Sequence, residues 1–330
     1  MSVDTQLISD QTAKTAEPPA ISAVQATNLG VAMSEQKSTS SAPTTYKHAL
    51  LMFSKPPLPG LVKTRLTRAN GGIFSEEEAA ELFHRSLFDV MELCLKAVDE
   101  LEAEDALALA ADPSAPRHEY HFFISTTPHS NVEIMRKTFE DAGDWPREFT
   151  YIMDSGANFD DHFDDAFSQI FSLGFDSVLS VGGDIPMLPY SHIINGFRWL
   201  QYFLEHSETG GLVQAPCQEC GVSLIGWTRT APMDHQEVYY NMTGRPALDA
   251  YVQKCGENNV PMASLTPVAD VDDVQDLAHA ISLARSARYT QQFQSDFYVP
   301  RRFLEWVDWR GLKVGTPPNE DRDSREGIDA

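Results

Sequence analysis

The chain has 330 residues and an ordinary apolar fraction of 42%, enough for one large or two small globular domains with a sizeable core. A formal net charge of −23 excludes broad nucleic-acid binding, which needs a basic face. No apolar run approaches membrane-spanning length, so a soluble, cytoplasmic protein without a membrane span is expected.

Residues 1–45 are rich in Ser, Thr, Ala and Gln and predict a disordered tail; they lack the basic start and apolar stretch of a secretory signal. Residues 49–53 read as a short buried strand. The prolines that follow have no N–H to donate, so the chain must leave the sheet there. The loop Ser54-Lys55-Pro56-Pro57-Leu58-Pro59-Gly60-Leu61-Val62-Lys63-Thr64-Arg65-Leu66 then concentrates three cations in a chain otherwise short of them. Gly60 allows close approach of backbone to a ligand, and Lys55, Lys63 and Arg65 carry donors suited to phosphate oxygens. The loop is therefore a candidate nucleotide site, although its spacing matches neither a P-loop nor a dinucleotide fingerprint.

Ser75 and Glu78 form a capping-box pattern ahead of a helix whose apolar stripe runs through Ala79, Leu82, Phe83, Leu87, Val90, Met91, Cys94 and Leu95. Strand and helix patterns then alternate: strands at 121–125, 149–153, 177–181, 212–215, 222–226 and 263–265, and helices at 131–141, 159–171, 191–205, 245–255 and 276–288. This order predicts an α/β three-layer sandwich around a mainly parallel sheet, with ligands at the carboxyl ends of the strands. This α/β domain is expected over residues 46–284. An aromatic-rich helical extension over 285–314 either packs back onto it or forms a homodimer contact, and residues 315–330 predict a second disordered tail.

Three acidic runs fall where strands end or helices begin. Gly182-Gly183-Asp184-Ile185-Pro186 follows a strand directly, placing Asp184 at the sheet's carboxyl edge, where it could bind a hard cation or merely cap a turn. In Asp270-Val271-Asp272-Asp273-Val274-Gln275-Asp276-Leu277, one carboxylate can cap the coming helix. The surplus leaves Asp270 and Asp272 as candidate metal ligands. Asp160-Asp161-His162-Phe163-Asp164-Asp165 reads as a solvated helix start, with His162 able to meet a phosphate. Cys217-Gln218-Glu219-Cys220 has the spacing of zinc and redox sites, but no second ligand pair accompanies it. The four cysteines, Cys94, Cys217, Cys220 and Cys255, are too scattered for a disulfide framework.

Taken together, the loop from Phe53 to Leu66, Gly183-Asp184-Ile185-Pro186 and the run Asp270 to Leu277 resemble the glycosyltransferase-like family related to phospholactate guanylyltransferase, within the GT-A group of nucleotide-diphospho-sugar transferase folds. The resemblance spans about residues 47–283. It implies a nucleotide sugar or nucleoside triphosphate as donor, a small-molecule acceptor, and Mg2+ or Mn2+ as cofactor. It further implies that Lys55, Lys63 and Arg65 contact the phosphates, and that Pro59, Gly60, Thr64, Gly182, Gly183, Glu219 and Gly221 belong to the substrate- and nucleotide-binding site. Asp184 with Asp270 or Asp272 would hold the metal, and Lys63, Arg65 and Asp184 would carry catalysis by stabilising charge on a leaving diphosphate. Glycosyl transfer is the expected reaction, with nucleotidyl transfer or a non-catalytic binding module as alternatives. Two departures stand out: Glu219-Cys220-Gly221-Val222 where the family tends to show Asp-Gly-Gly-Tyr, and Phe159-Asp160-Asp161-His162 where it tends to show Leu-Gly-Glu-Arg.

Overall fold

A computed structural model describes residues 43–294 and 297–315; of the tails expected at 1–45 and 315–330, residues 1–42 and 316–330 lie outside the described residues, and Thr45 already belongs to the first strand. The central sheet has seven strands: β1 (Thr45–Phe53), β2 (Arg117–Ser125), β3 (Phe149–Ile152), β4 (Ser177–Val181), β5 (Leu212–Pro216), β6 (Val222–Thr228) and β7 (Met262–Ser264), in the spatial order β3-β2-β1-β4-β6-β5-β7. All neighbours pair in parallel except β6, which runs antiparallel to both β4 and β5.

The strands read as continuous apolar runs because both faces are covered. Along β1, Leu50 and Met52 point into a core shared with α1 (Glu76–Ala111), α2 (His129–Asp141) and α4 (Tyr190–His206), while Ala49 and Leu51 point into the opposite core with α3 (Phe159–Ser172) and α5 (Ala247–Asn258). That alternation is the period of two expected of a pleated strand, and it makes the molecule three layers. A third apolar cluster joins the start of α1 to α6 (Val274–Thr290) and α7 (Arg301–Trp309).

The capping box at Ser75 and Glu78 forms as the sequence implies, with both reciprocal hydrogen bonds present. The helix it starts continues well past Leu95, to Ala111. The apolar stripe fades there, yet Ala and Leu favour the helix, and Arg147 and Arg198 pair with carboxylates of its far end. In the C-terminal segment, Phe303, Leu304, Trp306 and Val307 are buried within the chain, whereas Phe293, Phe297 and Trp309 remain exposed. α7 begins at a proline that offers no side-chain cap. Asp89 in the middle of α1 supplies one instead, accepting the backbone N–H groups of Arg302 and Phe303 at 3.2 and 2.8 Å.

Candidate functional site

The carboxyl ends of β1, β2, β3 and β4 open on a cavity of about 770 Å³. Lys63 lies on its wall, and its Nζ is held between Asp184 Oδ2 and Asp272 Oδ1, each at 2.8 Å, with only 8% of the lysine side chain exposed. Local structure imposes this position. Lys63 adopts a left-handed backbone conformation (φ 49°), uncommon outside glycine, and directly precedes a short 3-10 turn over Thr64–Leu66. Leu66 is fully buried, while Thr67 Oγ1 and Asn70 Nδ2 both donate to the Thr64 carbonyl at 2.7 and 3.0 Å, so the turn is pinned from beneath.

The two acidic loops are joined through the backbone, because Val271 N–H donates to the Asp184 carbonyl at 3.1 Å. The cap of α6 is Asp273, in a reciprocal box with Asp276. Asp270 and Asp272 are thereby left over, as the surplus of carboxylates implies. Gln218 clamps the peptide of Asp270, accepting its N–H at 3.1 Å and donating to its carbonyl at 3.3 Å, and also reaches Asp276. Burial, and then the charges of Asp184 and Asp272, push Asp270 up to about 6. Burial works to raise Asp272 as well, but the charge and hydrogen bond of Lys63 outweigh it and hold Asp272 below the usual carboxylate range. Lys63 is moved the other way: burial opposes its charge, and the two aspartates overcome this to raise its proton affinity.

Among the described residues, no three His, Cys, Asp or Glu side chains converge as a closed metal site. The donor chemistry of Asp184, Asp270 and Asp272 nevertheless fits a hard divalent cation: three carboxylates repel one another beside a single buried ammonium, and oxygen ligands suit Mg2+ or Mn2+.

Of the other expected site residues, Lys55, Gly182 and Gly183 also line the cavity. Arg65 stands outside the lining, 3.4 Å from Asp272 and largely exposed. Pro59, Gly60, Thr64, Glu219 and Gly221 are not brought to the cavity wall. Gly60 serves a turn, at φ 73°. Gly183 serves packing: a Cβ there would lie 2.6 Å from Leu87 of α1. Cys217 sits close enough to Asp270 to interact with it, and all four cysteines are free thiols.

A second wall of the cavity, apart from His162, escaped the sequence reading. It comprises Ser125, Thr126 and Thr127 after β2, Asp154 after β3, and Asn158, Phe159, His162 and Phe163 at the start of α3. Asp154 had a signal, since it follows its strand as Asp184 follows β4. The third acidic run is not a solvated face. Asp160 is 1% exposed and accepts the N–H groups of Val238, Tyr239 and Tyr240, and Asp164 accepts that of His235, so the run anchors the loop that brings Tyr239 to the cavity. A lone turn of acidic residues gives no hint of a distant loop that needs acceptors.

Comparison with known proteins supports this architecture. Residues 114–242 match the family described as "Uncharacterized protein conserved in bacteria (DUF2064)". A solved structure from Desulfovibrio desulfuricans G20, of a protein described as a candidate nucleotide-diphospho-sugar transferase, superposes with a TM-score of 0.56 at 19% identity, covering 79% of this chain and 95% of that one. The chain shares the α/β fold of that structure. A cytidylyltransferase from Leptospira borgpetersenii serovar Hardjo-bovis (strain JB197) is more distant, with a TM-score of 0.40 at 10% identity over 81% of this chain and 95% of that one. No curated protein matches the sequence. The matched family region contains Asp154, His162 and Asp184 but ends before Asp270.

Proposed function

We propose that this chain is a magnesium- or manganese-dependent transferase that moves a glycosyl group from a nucleotide-sugar donor to a small-molecule acceptor in the cytoplasm. The observation that carries this reading is the Lys63 ammonium gripped by Asp184 and Asp272 at the mouth of a cavity of nucleotide size. Lys63 and Lys55, with Arg65 at the rim, bind the oxygens of the donor diphosphate and neutralise the charge that develops as it leaves. Asp184, Asp270 and Asp272 would hold the divalent cation, which when bound supplies Lewis-acid stabilisation of the same diphosphate. The aromatic wall formed by Phe53, Phe159 and Phe163, with Phe53 stacked on Phe163 at 4.5 Å, offers apolar surface to the rest of the donor.

The test is thermal unfolding of the protein with Mg2+ or Mn2+ and a panel of nucleotide sugars and nucleoside triphosphates. A ligand that binds only the folded chain at about 100 times its dissociation constant stabilises by about 2.7 kcal/mol, which raises the melting temperature measurably. A metal-dependent rise with a nucleotide sugar supports the proposal. A rise with nucleoside triphosphates alone would make the reaction nucleotidyl transfer, and no rise with any member would overturn the reading.

A further inference from the structure

Also lining the cavity, His162 and Asp154 form a dyad. His162 Nδ1 lies 2.8 Å from Asp154 Oδ1, and the second carboxylate oxygen accepts the Ser125 hydroxyl at 2.7 Å. Asp154 is 2% exposed, so both of its oxygens are committed and its orientation is set. An ionised carboxylate can only accept, which requires Nδ1 to carry a proton and, in the neutral imidazole, leaves the lone pair on Nε2. His162 lines the cavity, and its Nε2 has no hydrogen-bond partner among the described residues. Beside the dyad, the buried Thr126 hydroxyl also lacks a partner among the described residues and lines the same cavity. Ser125 is not a nucleophile of the serine-hydrolase kind, because its proton is directed at the aspartate and not at the imidazole.

We propose that His162 is the proton acceptor for the attacking group, and that the acceptor substrate therefore presents an alcohol rather than a phosphate or a carboxylate. A phosphate or carboxylate arrives already ionised and needs no base, whereas a hydroxyl must lose its proton as it attacks. The charge on this wall agrees. The cations lining the cavity, Lys55 and Lys63, both come from the loop after β1, while the groups around His162 are the carboxylates Asp154 and Asp161. An anionic acceptor would be repelled there. The inference rests on the transferase reading. The acceptor oxygen bonds to the anomeric carbon as the bond from that carbon to the diphosphate oxygen breaks. The electron pair departs with the nucleoside diphosphate, and the acceptor proton goes to Nε2. The resulting imidazolium keeps its Nδ1–H on the Asp154 carboxylate. Asp154 is thus a positioning residue, and His162 a catalytic one.

The experiment compares the natural protein with His162→Ala and Asp154→Asn, using the same nucleotide-sugar panel with Mg2+ and with glycerol or glycerol 3-phosphate as acceptor. His162→Ala should keep the thermal shift given by the nucleotide sugar but lose turnover with glycerol by about 10²–10⁴-fold, with partial rescue by added imidazole. Asp154→Asn should lose about tenfold or more, because an amide favours the other tautomer. Nitrogen-15 NMR at about pH 8, above the ordinary histidine range, should find the His162 proton on Nδ1 in the natural chain and on Nε2 in Asp154→Asn. The proposal is overturned if His162→Ala turns over within a few-fold of the natural chain, if it abolishes the nucleotide shift, or if transfer goes only through the phosphate group. It is likewise overturned if the natural chain carries the proton on Nε2. The first of these outcomes leaves the transferase reading standing, whereas absence of any nucleotide shift in the natural chain removes that reading itself.

Discussion

Asp160 and Asp272 are both aspartates at or just before the first turn of a helix, in runs of nearly the same composition, yet tertiary structure gives them opposite work. Asp160 is 1% exposed and accepts three backbone N–H groups from residues 238–240. Asp272 has 44% of its side chain exposed and faces Lys63 and Arg65 at the cavity mouth. The first carboxylate is consumed by the fold. The second is left in excess, with two carboxylate neighbours whose repulsion only a cation relieves. The difference teaches that an acidic run becomes a structural anchor when backbone donors take up its charges, and is left free for a ligand when its charges exceed those donors.

The largest effect that would sharpen this contrast is on the functional side. On the proposed transferase reading, Lys63→Met should lower transfer by about 10²–10³-fold, since it would remove a preorganised charge from the leaving diphosphate, and steady-state rates with the donor identified by thermal shift will measure it. On the structural side, Asp160→Ala leaves three backbone donors at Val238, Tyr239 and Tyr240 without their acceptor. It should cost about 2–4 kcal/mol in denaturant unfolding. Asp272→Asn, by contrast, should change stability by less than about 1 kcal/mol, because Asp272 is half exposed and Lys63 keeps its ion pair with Asp184. Equal losses for Asp160→Ala and Asp272→Asn would break the comparison.

A further test concerns a third carboxylate of the structural kind. Asp89 caps α7 from inside α1, and burial raises it to about 7, against the pull of the two N–H groups and Arg302. Between the ordinary carboxylate range and about 7, the folded chain therefore holds a proton that the unfolded chain has released. The stability this contributes is fully present below the unfolded value and is lost as pH rises through about 7. Unfolding free energies measured from about pH 4 to 8 should fall more steeply for the natural chain than for Asp89→Asn. A parallel pair of curves would show that Asp89 does not titrate in this window.

Much of the sheet was legible because strands buried on both faces must be continuously apolar, as in Leu50-Leu51-Met52 and Val178-Leu179. The antiparallel direction of β6 was not, because its side-chain pattern is the same whichever way the strand runs. The cation loop and Asp184 were legible for a different reason: a proline run forces the chain out of the sheet, and an aspartate after Gly182-Gly183 directly follows a strand. His162 and Asp154 were visible as separate residues, but nothing local says that the end of β3 faces the start of α3 with a hydrogen bond between them.

The sequence by itself thus determined the three-layer α/β order, the capping box at Ser75, and the concentration of Lys55, Lys63 and Arg65 beside a strand end, all of which depend on periodicity and short-range hydrogen bonding. Only the tertiary structure decided which carboxylates Lys63 meets, that Asp160 anchors a loop some eighty positions away, and that Asp154 orients His162. These pairings are set by how strand ends converge across the sheet, and a hydrogen bond of 2.8 Å depends on that convergence and not on separation along the chain.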